Sequence, residues 1–442
     1  MEPIYPPDGA TGVPTEVVLQ ATVGDAEGDP RVEGRPRATV GSDFTVAVLP
    51  DTQFYACGCS GGLTDTFAAQ TAWIVEQVEA LDTRAVVHLG DCVQNGDDAP
   101  AEWSLAEAAM LGIEDYPLPY SIAVGNHDQS PPGNTDGTTL YNATFGATRF
   151  TPFPWYAGHQ GDDNDNHAVL FDAGGVGWVV VSLEYDDTPD EAVLDWLDST
   201  LSSHADRRAI VVTHHLIDTL GNFSYLGQSI YDVVAVHENV TLMLGGHVAG
   251  EAKRVDERGA HAVHSLLSDY QARDNGGDGW LRVLQFSPSA QAVTVVTYSP
   301  TLGSYEVDDD SQFTLSVDLS SPVWPRLGDG TTAAWTDLEP STTYEWRLVV
   351  EADDGPTWGP TWSFTTAAAE SSDPGDSGNA GDTGASADDT AAANDDAVVV
   401  SAGGCGCAAP GGPFSGWLLA GLIADWVRRR RDVPRLGTPL AC

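Results

Sequence analysis

Six short apolar runs, each ended by a polar turn, constrain the fold of this chain more than any other feature. They lie between residues 44 and 246 and read FTVAVLP, AVVHLG, YSIAVG, WVVVSLEY, AIVVTHH and VTLMLGG. Runs of this length, bounded by turns, are typical of strands that are covered on both faces. They predict one large unit with a buried sheet.

Helical patterns separate several of these runs. Apolar residues recur at helical spacing between the first two runs, after the capping candidates Thr64 and Asp65, and again over residues 190–206. The residues of the first of these stripes are Ile74, Val75, Val78 and Leu81. Alternation of strand and helix predicts an α/β unit over residues 41–316.

The pattern changes from His261 onward. The runs HAVHSLL, WLRVLQF and AVTVVTYS follow one another without helices between them. Consecutive strands of this kind usually pair antiparallel. We therefore expect a second, antiparallel sheet that completes a sandwich with the first.

The segments on either side of this unit read as β-structure. Leu338, Pro340, Thr342 and Tyr344 form an L-x-P-x-T-x-Y pattern, which resembles the turn into a late strand of a fibronectin type III-like sandwich. Residues 317–366 contain too few strands to close such a sandwich, and residues 1–40 resemble its opening strands. We predict one small all-β sandwich formed by both segments, with the α/β unit inserted between them. The alternative is an N-terminal fragment and a separate C-terminal domain.

The C-terminal region has a different composition. Residues 367–404 are rich in Ala, Gly, Ser, Thr and Asp, which predicts a disordered acidic linker. Residues 405–442 contain a cysteine pair, a short apolar stretch and an arginine cluster, in an order that resembles the sorting tails of myxobacterial-type surface proteins. This resemblance implies an exported, periplasmic or cell-surface protein whose tail interacts with the membrane or with sorting machinery. The alternative is an amphipathic tail. Because Met1-Glu2-Pro3 does not begin a signal peptide, we expect the true start to lie upstream.

Charge limits the partners of this chain. Its 65 acidic and 19 basic residues give a formal net charge of −46, and a field of that sign repels nucleic acids. We expect no nucleic-acid partner. Bound divalent cations would reverse the potential locally and allow an anionic substrate. Adaptation to a saline habitat explains most of the charge equally well.

Metal-ligand residue types stand at the ends of five of the apolar runs. Carboxylate and amide oxygens mixed with imidazoles suit Mn, Fe or Zn better than Ca, and α/β folds place their sites at the carboxyl ends of strands. Cys57 and Cys59 are a weaker metal candidate, because two thiols without a second pair rarely make a site. The strand-end residues are Asp51, Gln53, Asp91, Asn126, His127, His214, His215 and His247.

The order of these residues resembles the calcineurin-like metallophosphoesterases. The matching motifs are PDTQ at 50–53, GDCVQ at 90–94, GNHD at 125–128, THH at 213–215 and GHVA at 246–249. The DTQ spelling is similar to that of a bacterial branch of the superfamily. The resemblance implies a four-layer α/β/β/α sandwich and a phosphate-ester substrate. It also implies two divalent or transition-metal ions at the site.

The resemblance also implies roles for individual residues. Asp91 would bridge the two metals, because two close cations need a shared anion. Asp51 and Gln53 would bind the first metal, and Asn126, His214 and His247 the second. His127 would stabilise or protonate the leaving oxygen. Gln94 would orient the ring of His127, and it stands at a position where many relatives have an Asp.

Two departures from the family pattern affect the first metal. Gln53 and Ala249 stand where imidazoles are expected. Water, or a neighbour such as His215 or a residue of the SDYQ segment at 268–271, would have to complete this site. The candidates behind the ligands or facing the substrate are His215, Asp269, Tyr270 and Gln271.

Two functions follow from these observations. The first is hydrolysis of a phosphate mono- or diester outside the cytoplasmic membrane. The second is a surface scaffold or adhesion protein that keeps the fold with impaired catalysis. The ligand types that remain favour the enzyme, whereas Gln53 and Ala249 favour the scaffold.

Overall fold

The computed structural model describes residues 1–24, 27–37 and 41–369. The predicted linker over 367–404 lies outside this range except for its first three residues, and the predicted tail over 405–442 lies wholly outside it. Among the described residues, no helix is long and apolar enough to cross a membrane.

Seven helices and two short 3₁₀ turns, Gly96–Asp98 and Asp274–Gly276, occur in the described ranges. The helices are α1 (Gln53–Cys57), α2 (Asp65–Leu81), α3 (Pro100–Asp115), α4 (Thr139–Phe145), α5 (Ala147–Phe150), α6 (Glu191–Ser203) and α7 (Tyr225–Val234).

The strands fall into three groups along the chain. The N-terminal strands are β1 (Glu2–Tyr5), β2 (Ala10–Val13), β3 (Val17–Thr22) and β4 (Asp29–Pro36). The central strands are β5 (Phe44–Leu49), β6 (Thr83–His88), β7 (Tyr120–Ile122), β8 (Tyr156–His159), β9 (His167–Ala173), β10 (Val176–Leu183), β11 (Arg208–Thr213), β12 (Val240–Gly245), β13 (Gly250–Arg258), β14 (His261–Asp269), β15 (Leu281–Ser287), β16 (Ala292–Ser299), β17 (Ser304–Glu306) and β18 (Gln312–Ser316). The C-terminal strands are β19 (Arg326–Asp329), β20 (Thr332–Trp335), β21 (Thr343–Ala352), β22 (Gly355–Trp358) and β23 (Trp362–Thr366).

Two seven-stranded sheets form the central unit, residues 44–316. The first has the order β17-β16-β15-β5-β6-β7, with β18 paired to β16, and the second has the order β13-β14-β12-β11-β10-β9-β8. Strands β5, β6 and β7 run parallel, as do β10, β11, β12 and β14. The six apolar runs are confirmed as strands. Five of them lie inside the sheets, and the third forms only the short edge strand β7.

The expectation of a separate antiparallel sheet after His261 is wrong. Strand β14 joins the second sheet parallel to β12, whereas the hairpin β15–β16 pairs with the edge of β5 and extends the first sheet. The hairpin pattern is local, but the strand to which a hairpin adds depends on which edge the rest of the fold leaves free. Both sheets are therefore mixed.

Helices cover the outer faces of the two sheets. Apolar residues of α2 and α3, including Ile74, Val78 and Met110, pack into one core with both sheets. Leu197 of α6 and Ile230 of α7 pack against the outer face of the second sheet. Thr64 precedes α2 as predicted, but its side chain makes no capping hydrogen bond.

Strands from the two ends of the chain pair with each other. One sheet has the order β1-β3-β20, and another has the order β19-β4-β21-β23-β2, with β22 on β21. These strands share a separate core that contains Leu19, Val32, Trp346 and Phe364. We call these strands the flanking unit. The domain boundaries themselves stay a prediction.

A buried arginine connects the flanking unit to the central unit. Arg347 on β21 is 4% exposed, and its Nη2 lies 2.6 Å from Glu33 Oε2 on β4 and 2.6 Å from Glu238 Oε2 of the central unit. Arg31 also pairs with Glu33, so two cations match the two carboxylates at this contact.

We expect Arg347→Ala to lower the free energy of unfolding by about 3 kcal/mol, because it leaves Glu33 and Glu238 without their buried cation. Urea unfolding curves of the two proteins measure this. Arg326→Ala is the control, since its ion pair with Asp329 is largely exposed and its loss should cost less than about 0.5 kcal/mol. Equal losses in the two variants would contradict the prediction.

Candidate metal centre

The predicted ligands lie at the carboxyl ends of parallel strands in both sheets. Asp51 follows β5, Asp91 follows β6 and Asn126 follows β7, while His214 and His247 follow β11 and β12. Because the carboxyl ends of parallel strands meet at one edge of a sheet, the two sheets together present these side chains on one rim.

Two glycines of the motifs allow this close approach. A Cβ on Gly125 would lie 2.2 Å from the backbone nitrogen of Asp91, and one on Gly246 would lie 2.3 Å from Asp51 Oδ1. Asp91 and His247 themselves have φ angles of 49° and 69°, a strained conformation for residues with a side chain. Strain of this kind is common where a site imposes the backbone.

Asp91, His214 and His247 form the centre of the cluster. Their possible ligand atoms all lie within 4.8 Å of one another, and His214 Nε2 is 3.1 Å from Asp91 Oδ2. His214 Nδ1 lies 2.9 Å from the carbonyl oxygen of Leu89. A proton on Nδ1 donated to that carbonyl leaves Nε2 free to bind a cation.

Charge is concentrated around this cluster. Burial by itself would lower the pKa of His214, but the carboxylates of Asp91 and Asp51 raise that pKa to about 10. Burial opposes ionisation of Asp91, and His214 nevertheless holds its pKa below the usual value. The carboxylates therefore favour a positive charge at this position, which a proton or a metal cation can provide.

Buried oxygen atoms without partners complete the donor set. Gln53 Oε1 and Asn126 Oδ1 are both buried and accept no hydrogen bond from the described residues. Buried polar atoms are nearly always paired, so each such exception calls for an explanation. Amide oxygens are workable ligands of divalent cations, and the donors present therefore fit a metal centre.

Asp51 lies against the imidazole ligands and the residues after β14. Its carboxylate accepts a hydrogen bond from the backbone nitrogen of His247 at 3.3 Å and one from Gln271 Nε2, also at 3.3 Å. Burial and the neighbouring charge of Asp269 raise its pKa well above the usual range. Burial also raises the pKa of Asp269, to about 6.

His127 is held beside the cluster by Gln94. The backbone nitrogen of His127 donates to Asp91 Oδ1 at 2.8 Å. Its Nδ1 lies 2.8 Å from Gln94 Nε2 and 3.0 Å from the carbonyl oxygen of Gln94. Gln94 thus orients the ring through Nδ1 and leaves Nε2 as the nitrogen available to a substrate.

The remaining predicted residues have different surroundings. His215 stacks on Tyr185, with ring centroids 6.1 Å apart, and lies 4.4 Å from the ring of His247. Tyr270 is 1% exposed and donates its hydroxyl to Glu251 at 2.9 Å, so its hydroxyl joins a buried ion-pair network and is not available to a substrate.

The structure joins Cys57 and Cys59 in a disulfide. Both thiolates are thereby removed as metal ligands, and the weaker metal candidate of the sequence is wrong. Two cysteines separated by one residue give no sign of their oxidation state by spacing alone.

Three supporting residues escaped the sequence reasoning. Asp128 is fully buried and accepts hydrogen bonds from Gly125 and Val93, which ties the loops after β6 and β7 together. His88 Nδ1 accepts from the backbone of Gly90, so its Nε2 donates to the hydroxyl of Thr52 at 2.9 Å. Asp128 ends the GNHD motif and could have been found there, whereas His88 and Thr52 carry no comparable signal.

Residues 44–251 match the model of the family described as calcineurin-like phosphoesterase. This part of the chain is a calcineurin-like phosphoesterase domain. An uncharacterised protein of Bacillus subtilis strain 168, YvnB, is 29% identical over 361 residues. The match covers 73% of this chain and 27% of YvnB, so the chain spans about a quarter of that relative's length.

Solved structures similar to the chain include two phosphatases. A dimetal phosphatase from Danio rerio is 12% identical, with 63% of this chain and 99% of that chain covered and a TM-score of 0.39. The purple acid phosphatase PPD1 from yellow lupin is 13% identical, with 72% and 75% covered and a TM-score of 0.42.

We expect Gly125→Ala to disrupt the metal centre of the phosphoesterase domain. The added Cβ must displace the backbone of Asp91, which should cost about 2 kcal/mol or more of folding stability and weaken cation binding. Thermal unfolding and calorimetric titration with Mn²⁺ measure the two effects.

Gly112→Ala is the matched control, because a Cβ at this exposed position of α3 meets no atom within 4 Å. It should stabilise the helix by about 0.5 to 1 kcal/mol and leave Mn²⁺ binding unchanged. Unaltered Mn²⁺ binding by Gly125→Ala would show that the loop tolerates the displacement.

Proposed function

We propose that the phosphoesterase domain hydrolyses a phosphate monoester or diester with two divalent cations bound at the candidate metal centre. The observation that carries this proposal is the grouping of Asp91 with His214 and His247 within 4.8 Å, in a domain that matches the calcineurin-like phosphoesterases. The donors favour Mn, Fe or Zn, because imidazoles accompany the oxygen ligands.

Asp91 has the central role in this proposal. It is 1% exposed, and both of its oxygens face the site, since Oδ1 accepts from the backbone of His127 and Oδ2 faces His214. A carboxylate in this position can be shared by two cations and offset their mutual repulsion. When bound, the cations would neutralise phosphoryl oxygens and activate a water molecule for attack on phosphorus.

His127 would act on the leaving oxygen. Its ring is anchored through Nδ1 by Gln94, so Nε2 can donate a proton or a hydrogen bond to the oxygen that leaves phosphorus. An amide orients the ring but supplies no negative charge to favour its protonated form. We therefore assign His127 mainly to charge stabilisation of the leaving oxygen, with proton donation as a weaker contribution.

A catalytically impaired surface scaffold is the second candidate function. Ala249 is exposed and offers no metal donor, although it lies two residues after His247. Loss of a ligand from one cation position would lower metal occupancy before it altered the fold. The two functions differ in whether the full chain turns over a phosphate ester when supplied with metal.

We also propose that the flanking unit is fibronectin type III-like. The hydroxyl of Tyr344 accepts a hydrogen bond from the backbone nitrogen of Glu339 at 2.8 Å. A tyrosine hydroxyl bonded to the backbone a few residues upstream is a hallmark of such sandwiches.

We also propose that the domain belongs to a bacterial branch of the superfamily. This proposal rests on the residues of the DTQ motif alone.

Turnover should require added metal, and substitutions of Asp91 and His127 should affect metal binding and rate differently. Asp91→Asn should abolish both metal retention and hydrolysis of an aryl phosphate, because it removes the shared charge. His127→Ala should retain the metals and lose rate by about 10²-fold to 10⁴-fold. Metal analysis combined with rate measurements on the same samples tests both variants. A wild-type chain that binds metal but hydrolyses neither a monoester nor a diester would support the scaffold instead.

Export is proposed from the sequence of the C-terminal region, which lies beyond the described residues. Fractionation of cells that produce the full chain should place it outside the cytoplasm in the membrane fraction. Removal of residues 405–442 should release the protein from that fraction while the phosphoesterase domain stays folded. A soluble cytoplasmic pool with an intact C-terminus would refute the proposal.

A further inference from the structure

Two buried carboxylates converge on the side-chain amide of Gln271. Gln271 Nε2 lies 3.0 Å from Asp269 Oδ2 and 3.3 Å from Asp51 Oδ2. Asp269 and Asp51 are 1% and 2% exposed. Carboxylates buried at this depth are stable when they are paired with a cation or fully hydrogen-bonded, and a neutral amide supplies only weak compensation.

A second amide meets the same group and leaves an oxygen unpaired. Gln53 donates its side-chain nitrogen to Gln271 Oε1. Gln53 Oε1 is buried and has no hydrogen-bond donor among the described residues. The two amides and the two carboxylates are thus within hydrogen-bond distance of one another, with the nitrogen of Gln271 toward the carboxylates. Rotation of the Gln271 amide by half a turn would present its oxygen to the same group and free it to bind a cation.

The position of Asp269 explains how these residues reach the centre. Asp269 ends β14 and pairs with Gly250, the first residue of β13. Ala249 directly precedes that glycine and offers no donor. The end of β14 therefore places Asp269, and Gln271 just after it, on the side of the cluster where Ala249 supplies no metal donor.

We propose that Asp269 and Gln271 bind the first cation of the metal centre. With Asp51, Gln53 and Asp91 they make this position one of oxygen donors only. The inference rests on the proposed function, which places a second cation beside the first at the same centre. It goes beyond that proposal because it names as ligands two residues, Asp269 and Gln271, that lie outside the family motifs.

The two cation positions then differ in chemistry. The second position has the imidazoles of His214 and His247 together with the amide oxygen of Asn126. Imidazole donors favour Zn²⁺, whereas oxygen donors alone favour harder cations such as Mn²⁺ or Mg²⁺. The centre is thereby suited to a mixed metal pair.

Calorimetric titration of the full chain with Mn²⁺, after removal of metals by a chelator, tests the assignment. The wild type should bind two Mn²⁺ ions in separable steps. Gln271→Ala should weaken one step by at least about 10-fold and leave the other unchanged. Gln271→Glu should tighten that same step, because a charged ligand binds a divalent cation more strongly than a neutral one.

Gln271→Glu also separates metal binding from a purely structural role. Without metal, a third carboxylate beside Asp51 and Asp269 should lower the thermal midpoint, and Mn²⁺ should restore it. If Gln271 served only as a hydrogen-bond donor to the two carboxylates, the variant would lose stability without any gain in Mn²⁺ affinity. That outcome would overturn the proposal.

Two controls complete the experiment. His247→Ala should weaken the other binding step, and Gln228→Ala, on the exposed face of α7, should change neither. Binding of a single Mn²⁺ by the wild type, or unchanged affinities in Gln271→Ala, would overturn the assignment. Because these readouts are affinities, a chain that binds two cations as described but hydrolyses no phosphate ester would refute the proposed function and leave this assignment standing.

Discussion

Burial of three carboxylates at one rim is the constraint on which the rest of the site depends. Asp51, Asp91 and Asp269 are each at most 2% exposed, and desolvation of that many negative charges costs several kcal/mol for each ion. Part of the cost is offset by backbone donors and by the charge that His214 can carry. A divalent cation would offset much more of it, so the arrangement is best understood as one that folds around positive charge.

The fold around the site holds those carboxylates in place. Parallel strands of two sheets end at the same rim, and the motif glycines remove the side chains that would keep the loops apart. Asp128 fastens two of these loops from behind through hydrogen bonds to their backbones. Rigid positioning matters for metal chemistry because ligands that are displaced by a fraction of an ångström lose affinity and selectivity.

The flanking unit connects the ends of the chain around the phosphoesterase domain. Strands β4 and β21 pair along eight residues although they lie on opposite sides of that domain in the sequence. Arg347 adds a largely buried ion pair between the units, with Glu238 of the central unit as its partner. The two points at which the chain enters and leaves the phosphoesterase domain are thereby held together. This restricts the conformations available to the domain when it unfolds and so lowers the entropy gained on unfolding.

The sequence by itself determined the six apolar strands and the helices α2 and α6, and it placed the candidate ligands at strand ends, because apolar periodicity and polar turns are local properties. It also contains the GNHD and GHVA motifs, but the need for their glycines is tertiary, because Asp91 and Asp51 approach them from other loops. The tertiary structure decided that the hairpin β15–β16 extends the first sheet, that Cys57 and Cys59 are joined, and that Gln271 meets Gln53. The last contact links residues 218 positions apart. No local pattern specifies such a contact, since it depends on strand order and register, which only the packing of the whole core selects.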